Sequence, residues 1–224
     1  MKYNLIRSNR KTIAIHITKD AQVEVRAPLK AKQKDIDDFV ALKKEWIKKN
    51  RKKVSETQES RLKFEIDYGD RIRLIGKTYP LIEEKGNGMG FNGFCFYLPP
   101  GLSPGERKSA VIHLYKNLAR EVLTERTLTY GKTLGLVPKS VKVNDAKTRW
   151  GSCSSKGSIN FSWRLIMAEG EVIDYVIVHE LAHLREMNHS PRFWAVVESI
   201  LPDYKKRKKK LKEFQKEIAY EDWG

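Results

Sequence analysis

Residues 179–189 read H-E-L-A-H-L-R-E-M-N-H, and no other segment limits the possible folds of this chain as tightly. His179 and His183 are four residues apart, so on a helix their imidazoles share one face. That spacing lets both rings bind one metal ion while Glu180 points at the open side of the metal. The segment therefore predicts a helix that carries a metal-dependent catalytic centre.

A third metal ligand is expected, because catalytic zinc takes three protein ligands and leaves one position for water. His189 follows a predicted helix end at Met187-Asn188, where Asn accepts the left-handed conformation. The spacing matches the H-E-x-x-H-x-x-G-x-x-H pattern of one group of zinc peptidases, except that Glu186 replaces the turn glycine. Glu198, one helix further on, is the alternative third ligand.

The chemistry expected of such a centre is hydrolysis. Zinc lowers the pKa of a bound water to about 7 and polarises a carbonyl group. Glu180 is the candidate general base, which takes the proton of the water and passes it to the leaving amine. Cobalt or nickel would suit the same imidazoles. We therefore expect a metal-dependent hydrolase with zinc as the first choice of cofactor.

Three further residues are candidates for the site or its surroundings, and two other histidines are not. Arg149 could bind a carboxylate or phosphate of the substrate or pair with an acid of its own loop, and Trp150 is its neighbour. Cys153 is a small turn residue, a reactive thiol or a fourth metal ligand. His16, in a predicted strand, and His113, in a predicted helix, are expected to be structural.

The N-terminal part alternates between strand and helix patterns. Apolar residues alternate over residues 3–27 and again over 64–97, which predicts short antiparallel strands. Between them, residues 32–59 have helical apolar spacing, which predicts one helix. The Pro- and Gly-rich stretch at 99–105 is the clearest break. We therefore predict a strand-rich domain over residues 1–101 and a catalytic domain over residues 102–224.

The C-terminal part predicts a mixture of long helices and a few strands. A long helix is expected from Glu106 to about Leu134, and strands at residues 140–144 and 157–163. The segment between these strands is a loop or hairpin tip, since its residues tolerate tight turns. The histidine helix covers residues 171–187, and Ser190-Pro191 starts another helix. The expected class is α+β.

The composition limits the setting and the partners. The formal net charge is +16, and seven basic side chains lie between Lys43 and Lys53 and another seven between Lys205 and Lys212. Such clusters can bind nucleic acid or form solvated helix faces. No apolar run approaches the roughly 20 residues of a membrane helix, and the N-terminal residues lack a signal-peptide core. With two cysteines, a cytoplasmic location is expected.

Four stretches of the chain resemble the YgjP-like metallopeptidases, relatives of the SprT-like and WLM zinc peptidases. They span nearly the whole sequence in order, beginning with R-K-T-I-A-I-H-I and V-E-V-R-A-P and continuing with F-V-A-L-K-K-E-W-I-K-K, T-R-W-G-S-C-S-S-K-G-S-I-N-F-S-W-R-L and Y-V-I-V-H-E-L-A-H-L-R-E-M-N-H-S-P-R-F-W. The resemblance implies His179, His183 and His189 as zinc ligands and Glu180 as the catalytic acid/base.

The resemblance also implies a fold and a substrate class. It implies a zincin-like helix–sheet–helix core in the C-terminal half and an N-terminal antiparallel strand-rich portion around one helix. The R-W-G-S-C segment would lie beside the cleft, where a strand offers backbone groups to an extended peptide. A zinc endopeptidase is the leading hypothesis. The alternatives are a nucleotide (UTP) pyrophosphatase, a nucleic-acid-associated SprT-like protease, and a nucleic-acid-binding protein in which the metal is secondary.

Overall fold

A computed structural model describes residues 1–86 and 88–224 and divides the chain into two compact units. The first unit contains residues 1–64, 217–222 and 224, and the second contains residues 65–216 and 223. The boundary predicted at residues 101 and 102 thus lies within the second unit. Two backbone-directed hydrogen bonds hold residues 65–101 there: Ile75 N–H donates to Ile166 O (2.8 Å), and Tyr115 Oη–H donates to Arg73 O (2.6 Å).

The first unit packs a three-stranded sheet against helices. Its elements are β1 (Asn4–Ser8), β2 (Ala14–Ile17), β3 (Val23–Pro28), α1 (Gln33–Leu42), α2 (Lys44–Leu62) and a short 3-10 helix, Ile218–Tyr220. The strand order is β1-β3-β2, with β1 parallel and β2 antiparallel to β3. The buried positions of β3 alternate, and Val23, Val25 and Ala27 pack with Ile36, Val40 and Ile47. This alternation is the period of a half-buried strand.

The predicted helix over residues 32–59 is two helices. The helical conformation is interrupted at Lys43, which is the C-cap of α1 and the N-cap of α2. Ile36 and Val40 are buried from α1, and Ile47 is the buried residue of α2. The apolar spacing continues across the break, so the sequence pattern alone indicates one helix.

The second unit begins with four short strands. These are β4 (Arg71–Leu74), β5 (Lys77–Glu83), β6 (Gly90–Phe91) and β7 (Phe96–Leu98), in the order β4-β5-β7-β6. The β4–β5 and β6–β7 pairs are antiparallel, as predicted, whereas β5 and β7 are parallel. Phe96 and Leu98 of β7 are fully buried.

The second unit continues with one long helix and a second small sheet. Helix α3 (Pro104–Leu134) starts at a Ser103 capping box and ends at Gly135, which has φ +63°. It is followed by β8 (Ser140–Asn144), β9 (Gly151–Cys153) and β10 (Ser158–Ser162), in the order β8-β10-β9. β8 is parallel and β9 antiparallel to the central β10. The predicted loop over residues 147–157 therefore contains an edge strand.

One 3-10 helix and three α-helices complete the described part of the second unit. A 3-10 helix, Trp163–Met167, leads to α4 (Gly170–Ala182), which is followed by α5 (Pro191–Ile200) and α6 (Tyr204–Glu217). Helix α3, the β8-β10-β9 sheet and α4 form the expected helix–sheet–helix core, and the α+β class is confirmed. Within the described ranges, no helix combines the length and apolar character needed to cross a membrane.

Candidate metal centre

Helix α4 positions the first two histidines. Its buried residues include Val176, Val178 and Leu181, which anchor the helix in the unit. The helix ends at Ala182 rather than near Met187, but His183 keeps helical dihedral angles of φ −66° and ψ −16°. The two imidazoles therefore still share one face, and their ring centroids are 5.0 Å apart.

The turn after α4 is stabilised by a hydrogen bond that also orients a ligand. His183 Nδ1–H donates to the carbonyl oxygen of Glu186 at 3.0 Å, which leaves Nε2 free for a metal. The predicted left-handed conformation at Asn188 is wrong, because the non-glycine residues with positive φ in the described chain are Ala21 and Ile75. For the same reason, the turn does not need glycine at position 186.

His189 is brought back to α4 by the start of α5. The Ser190 side chain accepts a hydrogen bond from Phe193 N–H at 3.3 Å, and Pro191 occupies the first turn, as predicted. The fully buried Phe193 ring lies 4.9, 4.5 and 4.8 Å from the rings of His179, His183 and His189, respectively. Phe193 therefore forms an apolar floor under all three imidazoles.

The three histidines have the spacing of a metal site. One ligand nitrogen from each lies within 4.8 Å of the others, and the Nε2 atoms of His179 and His189 are 3.1 Å apart. Two nitrogens bound tetrahedrally to one zinc ion at about 2.1 Å would be separated by about 3.4 Å. The donor set and its spacing therefore fit a divalent metal with an affinity for imidazole.

Electrostatics favour the metal-binding form of these rings. Burial lowers the pKa of His179 to about 3, with smaller contributions from the charges of His183, His189 and Lys208. Burial and the charges of His183 and Lys208 also lower the pKa of His189. Since neutral imidazole is the form that binds a metal, both rings are ready to do so at neutral pH.

Glu180 lies near the C-terminal end of α4, next to strand β9. Its side chain is 6% exposed. A Cβ atom on Gly151 would lie 2.7 Å from both Cγ and Oε1 of Glu180, so the strand can approach this closely because Gly151 has no side chain. Burial raises the pKa of Glu180 to about 7, while the charge of Arg149 partly opposes the rise. A carboxyl group with this pKa can take and release a proton near neutral pH.

The segment before β9 surrounds Glu180 with mixed chemistry. Arg149 is exposed. Trp150 is half-buried, and its ring lies 5.2 Å from that of Phe214 on α6. Cys153 lies in β9 rather than in a turn, and burial together with the charge of Glu180 raises its thiol pKa. A raised pKa keeps the thiol protonated, which disfavours the reactive-thiol hypothesis.

The other candidate ligands lie elsewhere. Glu198 is exposed on α5 and is not part of the metal-ligating group found in the described residues, and neither is Cys153. His16 is exposed on β2, and the exposed His113 is within hydrogen-bonding distance of Asn117 on α3. Of the two alternatives for the third ligand, the geometry therefore favours His189.

Two parts of the site were not predicted from the sequence. Gly151 belongs to a segment whose sequence indicates turns. A glycine in a strand, however, also signals a close backbone approach. Lys208 belonged to a basic cluster, yet its Nζ lies 4.7 Å from the Trp194 ring, which in turn lies 5.8 Å from the His189 ring. No local pattern connects α6 with the histidine helix.

Comparison with known proteins identifies the family. Residues 11–214 match the family described as "YgjP-like, metallopeptidase domain". No curated protein matches the sequence.

Two solved structures are similar to parts of the chain. One is the metallopeptidase zymogen abylysin of Pyrococcus abyssi, with a TM-score of 0.39 and 25% identity over 43% of this chain and 94% of that chain. The other is the metallopeptidase zymogen jannalysin of Methanocaldococcus jannaschii, with a TM-score of 0.37 and 19% identity over 43% of this chain and 97% of that chain.

Proposed function

The chain belongs to the YgjP-like metallopeptidase family, and from this premise we propose that it is a zinc-dependent hydrolase of peptide bonds. The observation that carries the proposal is the convergence of His179, His183 and His189 next to the buried carboxyl of Glu180. Three nitrogen ligands leave a coordination position open, whereas a structural zinc site closes with four protein ligands.

Each residue of the proposed site has a separate task. His179, His183 and His189 hold the metal, and the hydrogen bond from His183 Nδ1 to Glu186 O fixes one ring. A zinc ion held there would act as a Lewis acid, which would polarise the scissile carbonyl and lower the pKa of a bound water. Glu180 accepts a proton on its carboxylate and donates it to the leaving amine. Its near-neutral pKa suits both transfers.

The substrate is proposed to lie along the free edge of β9. Among the described residues, β9 pairs with β10 along one edge and lies at the end of its sheet, so its other edge offers backbone groups to an extended peptide. Arg149 is proposed to contact the substrate, because it is exposed and precedes this strand by two residues. Trp150 is proposed to support this contact, since its packing on Phe214 holds the segment in place.

Substitution of Glu180 and His183 tests the assignment. We expect Glu180→Gln to keep the metal and to lose activity by about 10²–10⁴-fold, the usual contribution of general acid–base catalysis. His183→Ala should lose both metal and activity. The measurements are metal content by elemental analysis and cleavage of casein and short peptides.

Glu198→Gln is the matched control, because it makes the same change at an exposed glutamate on α5. It should keep both metal and activity. Unchanged zinc in His183→Ala would contradict the ligand assignment, and full activity of Glu180→Gln would contradict the role of Glu180.

The metal is tested by removal and reconstitution. A chelator should abolish cleavage, and zinc should restore it. Cobalt and nickel are included because imidazole ligands accept them as well. Restoration by another of these metals but not by zinc would leave a metallopeptidase with a different cofactor.

Two finer expectations about the setting remain proposals. The exposed lysines of residues 43–53 and 205–212 are proposed to bind nucleic acid, which a DNA-binding assay with a salt titration would test. The cytoplasm is the proposed location, in keeping with the free thiols of Cys95 and Cys153. Release of pyrophosphate from UTP in place of peptide cleavage would favour the pyrophosphatase alternative.

A further inference from the structure

A column of aromatic rings connects the metal site with helix α6. The ring of His189 stacks on Trp194 at 5.8 Å and 29°, and Trp194 stacks on Tyr204 at 5.1 Å and 17°. Two lysines lie on this column: Lys208 Nζ is 4.7 Å from the centre of the Trp194 ring, and Lys205 Nζ is 5.7 Å from that of Tyr204. Positive charge is therefore held beside a metal ligand, within about one screening length of 8–10 Å at physiological ionic strength.

A second positive charge lies on the Glu180 side of the site. Arg149 is exposed and stands two residues before Gly151, whose backbone touches Glu180. Two residues of extended chain span about 7 Å. The charge of Arg149 also acts on the Glu180 carboxyl. The site therefore has two cations from different elements near it: Lys208 of α6, next to the ring that stacks on His189, and Arg149 before β9, near Glu180.

Four acidic residues that lie on α6 or contact it are paired with basic residues other than Lys205 and Lys208. Glu169 and Glu171 both bind Lys210, Asp203 binds Arg207 at 2.8 Å, and Glu213 lies 3.9 Å from Lys209. In residues 1–86 and 88–224, no ion pair involves Arg149, Lys205 or Lys208. These three charges are thus available to a ligand that approaches the metal site.

We infer that the site takes acidic peptides, with Lys208 and Arg149 binding carboxylate side chains that flank the scissile bond. This inference rests on the proposed peptidase function and specifies its substrate class. Lysine binds a carboxylate as a point charge, and arginine can bind it through two parallel N–H groups. The aromatic column keeps Lys208 at the rim by a cation–π contact with Trp194.

The inference is tested with three peptides that share one scissile sequence and carry Glu, Gln or Lys at the flanking positions. For the wild type we expect kcat/KM to be about 10–100-fold higher for the Glu peptide than for the Gln peptide, as one or two charge-assisted hydrogen bonds allow. The preference should weaken as salt is raised. Lys208→Glu and Arg149→Glu should each reduce it about 10-fold.

Lys216→Glu is the matched control, because it makes the same charge change on an exposed residue of α6. It stands eight residues after Lys208, about 12 Å along the helix axis. The preference of the Lys216→Glu variant for the Glu peptide over the Gln peptide should equal that of the wild type. An equal loss in Lys216→Glu would overturn the inference, because net charge alone would then explain the effect.

The outcomes separate this inference from the proposed function. Equal kcat/KM for the Glu and Gln peptides would overturn the inference and leave the peptidase function standing. A zinc-loaded protein that cleaves none of the peptides would overturn the proposed function. Hydrolysis of UTP that depends on Lys208 and Arg149, without peptide cleavage, would show that the anion recognised is a nucleotide and would overturn both.

Discussion

Gly151 has no side chain at the point where β9 meets Glu180, and an added Cβ atom would lie 2.7 Å from the Oε1 atom of that glutamate. Gly151→Ala should therefore displace the Glu180 carboxyl and leave the three histidines in place. We expect kcat/KM to fall about 100-fold, the loss typical of a displacement of about 1 Å in a catalytic site. Zinc content should not change. Steady-state kinetics and metal analysis measure the two effects.

Gly105→Ala is the control for this substitution. Gly105 lies in the first turn of α3, and an added Cβ atom there would meet no atom within 4 Å. Its activity should equal that of the wild type. Wild-type kcat/KM in Gly151→Ala would show that the close contact with Glu180 is not needed.

Asp145 makes the stability of the second unit depend on pH. Its Oδ1 accepts hydrogen bonds from Trp163 Nε1 (2.8 Å) and Arg164 Nη1 (2.6 Å). Burial alone would raise the pKa of Asp145, but the hydrogen bonds and the charges of Arg164 and Lys116 together lower it below its ordinary value of 3.8. Because the folded-state pKa is lowered, the stabilisation is present above about pH 4 and is lost as the pH falls through the folded-state value.

Asp145→Asn tests this dependence. We expect its melting temperature to be about 1–2 °C lower than that of the wild type at pH 7, corresponding to about 0.5 kcal/mol, because the Asp145 side chain is 55% exposed and solvent screens its charge. The difference should vanish in acid, where the wild-type carboxyl is protonated as well. Calorimetry at a series of pH values measures it. A constant difference from pH 7 to pH 2 would contradict the assignment.

The clustering of the three histidines could be predicted from the sequence, whereas the neighbours of Glu180 could not. The spacing of His179 and His183 needs only helical geometry, and His189 needs only a reversal of the chain. Gly151 reaches Glu180 through the docking of a strand from another part of the sequence. Such a contact depends on tertiary packing, which a single-sequence pattern does not encode.

At the scale of elements, two α-helices begin with the same Ser-Pro dipeptide, which offers a matched test. Ser103 caps α3 and Ser190 caps α5, and each is followed by proline. Replacement of either serine by alanine should lower the stability of the protein by about 1 kcal/mol. Only Ser190→Ala should also weaken zinc binding, by about 10-fold, since Ser190 directly follows the ligand His189 and outer-shell changes cost 10–100-fold.

Urea unfolding and competition with a zinc chelator measure the two effects. Ser103→Ala serves as the control for stability alone. An equal loss of zinc affinity in both variants would mean that the start of α5 does not position His189.

The predictability of the elements follows the strength of their local signals. The end of helix α3 is predicted closely, because Gly135 marks it, whereas the helix starts at Pro104, two residues before the predicted Glu106, with Ser103 as its N-cap. Strand β9 was missed, because Gly-Ser-Cys has low strand propensity and is extended only by pairing with β10. The break at Lys43 was missed because the apolar spacing of α1 and α2 is continuous. Short paired strands and helix breaks thus depend on partners that the local sequence does not specify.

At the scale of the whole molecule, the chain's end contributes to the core of the second unit. Trp223 is buried, and its ring lies 5.3 Å from Tyr115 and 6.3 Å from Trp163. Its carbonyl oxygen accepts a hydrogen bond from Arg164 Nη2 at 3.1 Å. Residues 217–222 belong to the first unit, so the last residues of the chain serve both units. A boundary drawn from sequence punctuation does not anticipate this return.

Trp223→Ala should therefore destabilise the protein strongly. We expect a loss of about 3–5 kcal/mol, the usual cost of removing a buried aromatic side chain. Tyr220→Ala is the control, because it removes a ring that is 37% exposed three residues earlier. It should cost less than about 1 kcal/mol. Chemical unfolding measures both, and equal losses would contradict the core position of Trp223.

The three clustered histidines lie within eleven consecutive residues, whereas Gly151 belongs to β9, which precedes α4 in the sequence. Closing a loop of about ten residues takes only about 10–100 ns and costs little entropy. The histidine cluster is therefore local in the sequence, whereas the surroundings of the Glu180 carboxyl form only when β9 docks against α4. Any change that loosens β9 should disturb the Glu180 carboxyl and leave the three histidines together.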